Sequence, residues 1–181
     1  MSFLNLPNLI TLGRLFLIPV FLYFALWRQW REAFWIFFIA GGSDLVDGAL
    51  ARLLKQKTRL GAFLDPMADK LLMTAGFMTL TVHGRMDLWL TLLVFSRDLM
   101  ISSGVIFLKT KKIFIEYRPT FLSKGTTFFQ LVTLVTALLS VSYGVETPWN
   151  DYDRLVTAVM TVLSWIHYLV KGIKILRRGH A

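Results

Sequence analysis

Six long apolar runs separated by short polar breaks make up most of the chain. They fall at about Leu9–Trp27, Ala33–Leu54, Gly61–Val82, Leu88–Leu108, Phe121–Tyr143 and Leu155–Ile175. At about 1.5 Å per residue, each run as a helix crosses a hydrocarbon core about 30 Å thick. None shows the period-two alternation of a membrane barrel, so helices are the spanning option. The pattern predicts an all-α polytopic membrane protein with six transmembrane helices, forming a single domain over residues 1–181.

Prolines and glycines punctuate this pattern. Pro7 and Asn8 read as the start of the first helix, with Asn5 or Asn8 as its cap. Pro19 reads as a tolerated kink within the first span. Pro66 leaves the start of the third helix open. A start near Asp65 puts the proline at the first helical position, and a start near Gly61 puts it in the early turns. No cleavable leader is expected ahead of the first run, which has no charged segment before it.

Charge adds an orientation. Of 20 lysines and arginines, 14 fall on the side shared by both termini and the 52–59 and 109–124 segments. The positive-inside rule therefore predicts that both termini are cytoplasmic. The net charge of +9 sits in short segments between apolar runs, which fits an anionic membrane face and not nucleic acid. The basic tail Lys171–Arg178 fits the same surface. There is no cysteine, so disulfides and thiolate metal sites are excluded.

One stretch departs from the apolar pattern. Between Gly41 and Lys70 lie four aspartates: Asp44, Asp47, Asp65 and Asp69. On insertion scales each carboxylate near a bilayer centre costs about 2.5–3.5 kcal/mol, so the four together cost about 10–14 kcal/mol unless something offsets them. The spacings of three and four place each pair on one helix face, with Cβ atoms about 5–6 Å apart. Two such pairs facing each other form a cup of carboxylates suited to two hard divalent cations.

The spacing also resembles a family signature. Asp44-x-x-Asp47-Gly48-x-x-Ala51-Arg52, eight residues, then Gly61-x-x-x-Asp65-x-x-x-Asp69 is similar to the CDP-alcohol phosphotransferase motif at every fixed position. The opening Asn5–Thr11 with Arg14 resembles the start of phosphatidylglycerophosphate synthases and of CDP-alcohol-type cardiolipin synthases. The segment Pro119–Lys124 through Gln130 looks closer to the cardiolipin synthase branch.

The resemblance implies a bacterial cytoplasmic-membrane enzyme that releases CMP from CDP-diacylglycerol, with its site facing the cytoplasm. It implies glycerol-3-phosphate as acceptor, with phosphatidylglycerol as the alternative. It also implies two divalent ions, Mg²⁺ or Mn²⁺, and a homodimer in the lipid bilayer. The metals fall to Asp44, Asp47, Asp65 and Asp69, and proton acceptance to Asp69. Gly48, Ala51, Arg52 and Gly61 lie near the CDP group, with Thr58 as a further nucleotide candidate.

Outside the motif, Arg97 and Asp98 sit within an apolar run and admit two readings. One is a structural ion pair, and the other is a guanidinium for the acceptor's phosphate. Arg118 and Lys124 are further candidates for an anionic acceptor. His83, His167 and His180 form no metal-like pair. A competing reading makes the carboxylates an ion-transport site, but it gives no reason for Gly48, Ala51 and Arg52 at their offsets. A non-catalytic scaffold gives no reason for four acids.

Overall fold

A computed structural model describes residues 6–53, 61–110, 120–145 and 149–178, which include every helix below. Side chains at 6–10, 44–53, 62–63, 106, 108–109, 149–150 and 175–178 lie outside that description. Six helices follow in order: α1 Leu6–Leu26, α2 Trp30–Leu53, α3 Gly61–Val82, α4 Leu88–Thr110, α5 Phe121–Tyr143 and α6 Trp149–Arg178. Among the described residues every regular element is thus a helix, as the apolar runs predict. The fifth helix has the bounds of its apolar run, and the third takes the Gly61 start, one of the two that the sequence left open.

α6 begins six residues before the apolar run, because the helix continues through the polar segment that opens it. Asp151 sits in its first turn and Arg154 one turn later, 4.0 Å apart. A hydropathy boundary marks where a helix leaves the apolar phase, not where its hydrogen bonds stop. α3 begins at Gly61, so Pro66 lies inside it. The proline is the sixth residue of the helix, just past the first four amides that have no intrahelical partner, so one early i→i−4 hydrogen bond is absent. Asn8 lies inside α1 and is not its cap; Asn5 lies outside the described residues.

Among the described residues three helices are long and apolar enough to cross a membrane: Leu88–Val105 in α4, Phe121–Tyr143 in α5 and Asp151–Lys174 in α6. A shorter apolar helical segment runs from Thr11 to Leu26. Phe16, Trp27, Val82, Leu99 and Phe121 are each 70% or more exposed, which suits lipid contact better than water.

The chain forms two compact units. The first contains α1, α2, α3 and the Leu134–Tyr143 half of α5. Its core packs Phe21 of α1 against Phe37 of α2, ring centroids 5.6 Å apart. The fully buried Ala25, Ala33 and Ala40 let these backbones approach. Gly76 of α3 meets Leu134 of α5, where an added Cβ would lie 2.6 Å from a leucine methyl. Ser142 donates to the Trp30 carbonyl at 2.8 Å, joining the end of α5 to the start of α2.

The turns that end α1 and α3 are Schellman-type stops. After α1, Gln29 N–H donates to Phe24 and Arg28 N–H to Ala25, with Arg28 at φ 60°. After α3, Arg85 N–H donates to Leu80 and Gly84 N–H to Thr81, with Gly84 at φ 68°. The second stop uses glycine where the left-handed conformation demands it. The first stop uses arginine.

The second unit contains α4, the Phe121–Thr133 half of α5, and α6. α5 and α6 run antiparallel along a buried polar seam. Thr126 donates to the Met160 carbonyl at 3.1 Å, Gln130 to Thr161 at 3.4 Å, and Thr133 shares a 2.7 Å hydrogen bond with Thr157. The seam residues recur every three or four positions, so each set lies on one helix face. Hydrogen bonds of this kind join helices where hydrocarbon offers no competing partner.

Candidate active site

The acids of α3 are organised from α1. Thr11 and Arg14 are three apart on α1, and Asp65 and Asp69 are four apart on α3, so each pair shares a face. Thr11 Oγ1 donates to Asp65 Oδ1 at 2.6 Å. Arg14 Nη1 donates to Asp69 Oδ1 at 2.7 Å, forming an ion pair. The partners are offset by 54 and 55 residues, so the two helices run in the same direction. Three residues rise about 4.5 Å and four about 6 Å, which is why two rungs fit in near register.

Arg14 also reaches α2. Its Nε lies 3.3 Å from Ser43 Oγ, and that hydroxyl spends its proton on the Ala40 carbonyl at 2.7 Å. Ser43 therefore accepts from the guanidinium. The Arg14 side chain is fully buried, whereas that of Asp69 is 45% exposed. A buried guanidinium requires a counter-charge, and Asp69 supplies one while keeping access to solvent.

The remaining motif residues fall into three groups. Asp44, Asp47, Gly48, Ala51 and Arg52 lie in the last three turns of α2, directly after Ser43, and their side chains are outside the described set. Thr58 and Arg118 lie outside the described residues. Gly61 is buried at the first position of α3. Among the described residues no group of three or more acids or histidines is gathered; of the four aspartates, the side chains of Asp65 and Asp69 are described.

The second unit holds Arg97 and Lys124. Arg97 is 4% exposed. Its Nη1 donates to Asp98 at 2.7 Å, its Nη2 to Ser123 at 2.6 Å and to Ser164 at 3.2 Å, and its Nε to Ser164 at 3.3 Å. One guanidinium thus joins α4, α5 and α6. Tyr168 hydrogen-bonds Ser123 and Thr120 from the next turn of α6, and Thr120 Oγ1 caps α5 by accepting from Ser123 N–H at 3.3 Å. Lys124 is exposed beside this network. In this arrangement the ion-pair reading of Arg97 and Asp98 is realised, and the arginine's donors face protein groups.

In the sequence Thr11 and Ser123 stand only as members of family-like segments, and nothing there assigns a site role to Ser43, Ser164 or Tyr168. A weak signal exists for Thr11 and Ser43. Thr11 and Arg14 are polar at helical spacing inside an apolar run, and Ser43 immediately precedes the first motif aspartate.

The CDP-alcohol phosphatidyltransferase family model matches residues 4–170, spanning both units. The chain belongs to the CDP-alcohol phosphatidyltransferase family. It is therefore a phosphatidyltransferase, and with its three apolar helices it is a membrane protein. Divalent metal ions are general to the family.

Curated relatives carry two kinds of name. A CDP-diacylglycerol–glycerol-3-phosphate 3-phosphatidyltransferase of Aquifex aeolicus is 31% identical over 96% of this chain and 98% of its own length. One from Cereibacter sphaeroides is 34% identical over 85% of this chain and 75% of its own length. A CMP-forming cardiolipin synthase of Rattus norvegicus is 29% identical over 96% of this chain and 64% of its own length.

Proposed function

We propose that this phosphatidyltransferase uses CDP-diacylglycerol and glycerol-3-phosphate, giving phosphatidylglycerophosphate and CMP. The observation that carries the reading is the carboxylate pair Asp65 and Asp69, each held by a side chain from α1. The family match supports transfer from a CDP-alcohol, and the end-to-end coverage of the Aquifex protein supports the choice of acceptor. The cardiolipin synthase relative and the Pro119–Lys124 segment favour phosphatidylglycerol as the second reading.

The acceptor hydroxyl attacks the phosphorus that bears the diacylglycerol. A new P–O bond forms, the bond to CMP breaks, and CMP leaves with the bonding pair. The hydroxyl proton passes to a carboxylate oxygen of Asp69. Arg52 neutralises phosphate charge, while Gly48, Ala51 and Gly61 let backbone approach the nucleotide and Thr58 adds a hydroxyl. Arg118 and Lys124 serve the anionic acceptor, and Arg97, through its hydrogen bond to Ser123, positions the turn of α5 that carries Lys124.

The donor set fits a hard divalent cation, since carboxylate oxygens are its preferred ligands and the chain has no thiol. Asp44, Asp47, Asp65 and Asp69 would hold two such ions, Mg²⁺ or Mn²⁺, whose charge offsets that of the pyrophosphate. In this reading the chain spans a bacterial cytoplasmic membrane six times as a homodimer, with both termini and the site on the cytoplasmic side. Residues 1–181 then form a single membrane domain. The acyl tails stay in the bilayer, which avoids an extraction cost of about 0.8 kcal/mol per CH₂.

The test is CMP release by purified protein with CDP-diacylglycerol and Mg²⁺, offering each acceptor separately, with EDTA as control. Metal-dependent release with glycerol-3-phosphate supports the proposal. Release only with phosphatidylglycerol replaces it with cardiolipin synthesis. Release with neither acceptor, from folded protein, overturns both.

A further inference from the structure

We infer that Arg14 is a positioning residue for the catalytic acids, locking Asp69 of α3 to the turn of α2 that leads into Asp44. This rests on the proposed role of Asp69. Three observations carry it. The guanidinium side chain is fully buried, so its geometry is set by protein and not by water. Its Nη1 and Nε engage different helices, Asp69 on α3 and Ser43 on α2. Ser43 precedes Asp44 directly in sequence and has its own proton committed to Ala40. One planar group from α1 therefore relates the positions of both acid-bearing turns. Thr11 provides a second point of support at Asp65. Carboxylates that hold metals depend on such outer partners for orientation, and their loss typically costs 10–100-fold in affinity or activity.

Lysine preserves the charge at position 14 but not the fork. An ammonium on a flexible stem does not hold Ser43 and Asp69 in a fixed relation. Arg14→Lys thus separates positioning from simple charge. In the full-length protein we expect kcat to fall about 10–100-fold and the Kd for Mn²⁺, measured without lipid substrate, to rise about tenfold or more. The KM for CDP-diacylglycerol should move by less than about threefold, because binding of the lipid is not what the fork supplies.

A double-mutant cycle with Asp69→Asn distinguishes positioning from a general structural role. If Arg14 acts through Asp69, Arg14→Lys has little further effect on Mn²⁺ affinity in the Asp69→Asn background. Additive losses overturn the inference, as does wild-type kcat in Arg14→Lys. Should Arg14→Lys fail to fold, Ser43→Ala carries the test. It removes one anchor and leaves the charge, and unchanged kcat and Mn²⁺ affinity there overturn the inference. Full activity of Asp69→Asn alone, or no Mn²⁺ binding by the wild type, instead defeats the underlying reading of the site.

Discussion

Replacing Asp69 by Asn tests both the proposed chemistry and the ion pair in one protein. The amide keeps an oxygen for Arg14 Nη1, now 2.7 Å from the carboxylate, but removes the negative charge. Breaking a fully buried pair by deleting one partner costs about 3–5 kcal/mol, whereas an exposed pair contributes about 0–1 kcal/mol. Here the arginine side chain is fully buried and the aspartate is 45% exposed. Solvent screens one partner only, and the retained oxygen preserves part of the hydrogen bond, so a loss of about 2 kcal/mol is expected. For a chain of this size that corresponds to a fall of about 4–8 °C in the unfolding midpoint, measured in detergent with EDTA. Loss of the proton acceptor should lower CMP release about 100-fold or more, while much of the CDP-lipid binding persists. An unfolding midpoint equal to wild type would refute the ion-pair argument. Full CMP release would refute proton acceptance by Asp69.

Three further outcomes follow from the geometry. Arg97→Ala should raise the KM for the acceptor more than that for CDP-diacylglycerol, measured by CMP release; an unchanged acceptor KM assigns Arg97 to structure alone. Arg28→Gly should stabilise the protein by up to about 1 kcal/mol, because arginine occupies a left-handed conformation that glycine adopts without strain. Thermal unfolding checks that sign. Thr133→Val should cost about 1 kcal/mol, since it removes the hydrogen bonds to Thr157 and to the Asp153 carbonyl in the buried seam; a midpoint equal to wild type would count against the seam as an adhesive.

By itself the amino-acid order determined the helices, because helical hydrogen bonds close within a segment and a long apolar run needs no distant partner to form one. Phe121–Tyr143 emerges with both ends of its apolar run, and the third helix with the C-terminal end at Val82. Local spacing likewise put Asp65 and Asp69 on one face of α3, and the motif spacing carried the family. Only tertiary structure decided what those acids meet. Thr11 and Arg14 lie 54 and 55 residues away, and no local periodicity ties a threonine and an arginine in one helix to two aspartates in another. Positive-inside reasoning leaves Arg14 as one more cation near the membrane edge, although burial gives it a specific partner. The same holds for Arg97, whose neighbour Asp98 is visible in the sequence, while Ser123 and Ser164, on two other helices, are not. A buried guanidinium must satisfy its donors wherever the fold places acceptors, and that placement is set by how the helices pack.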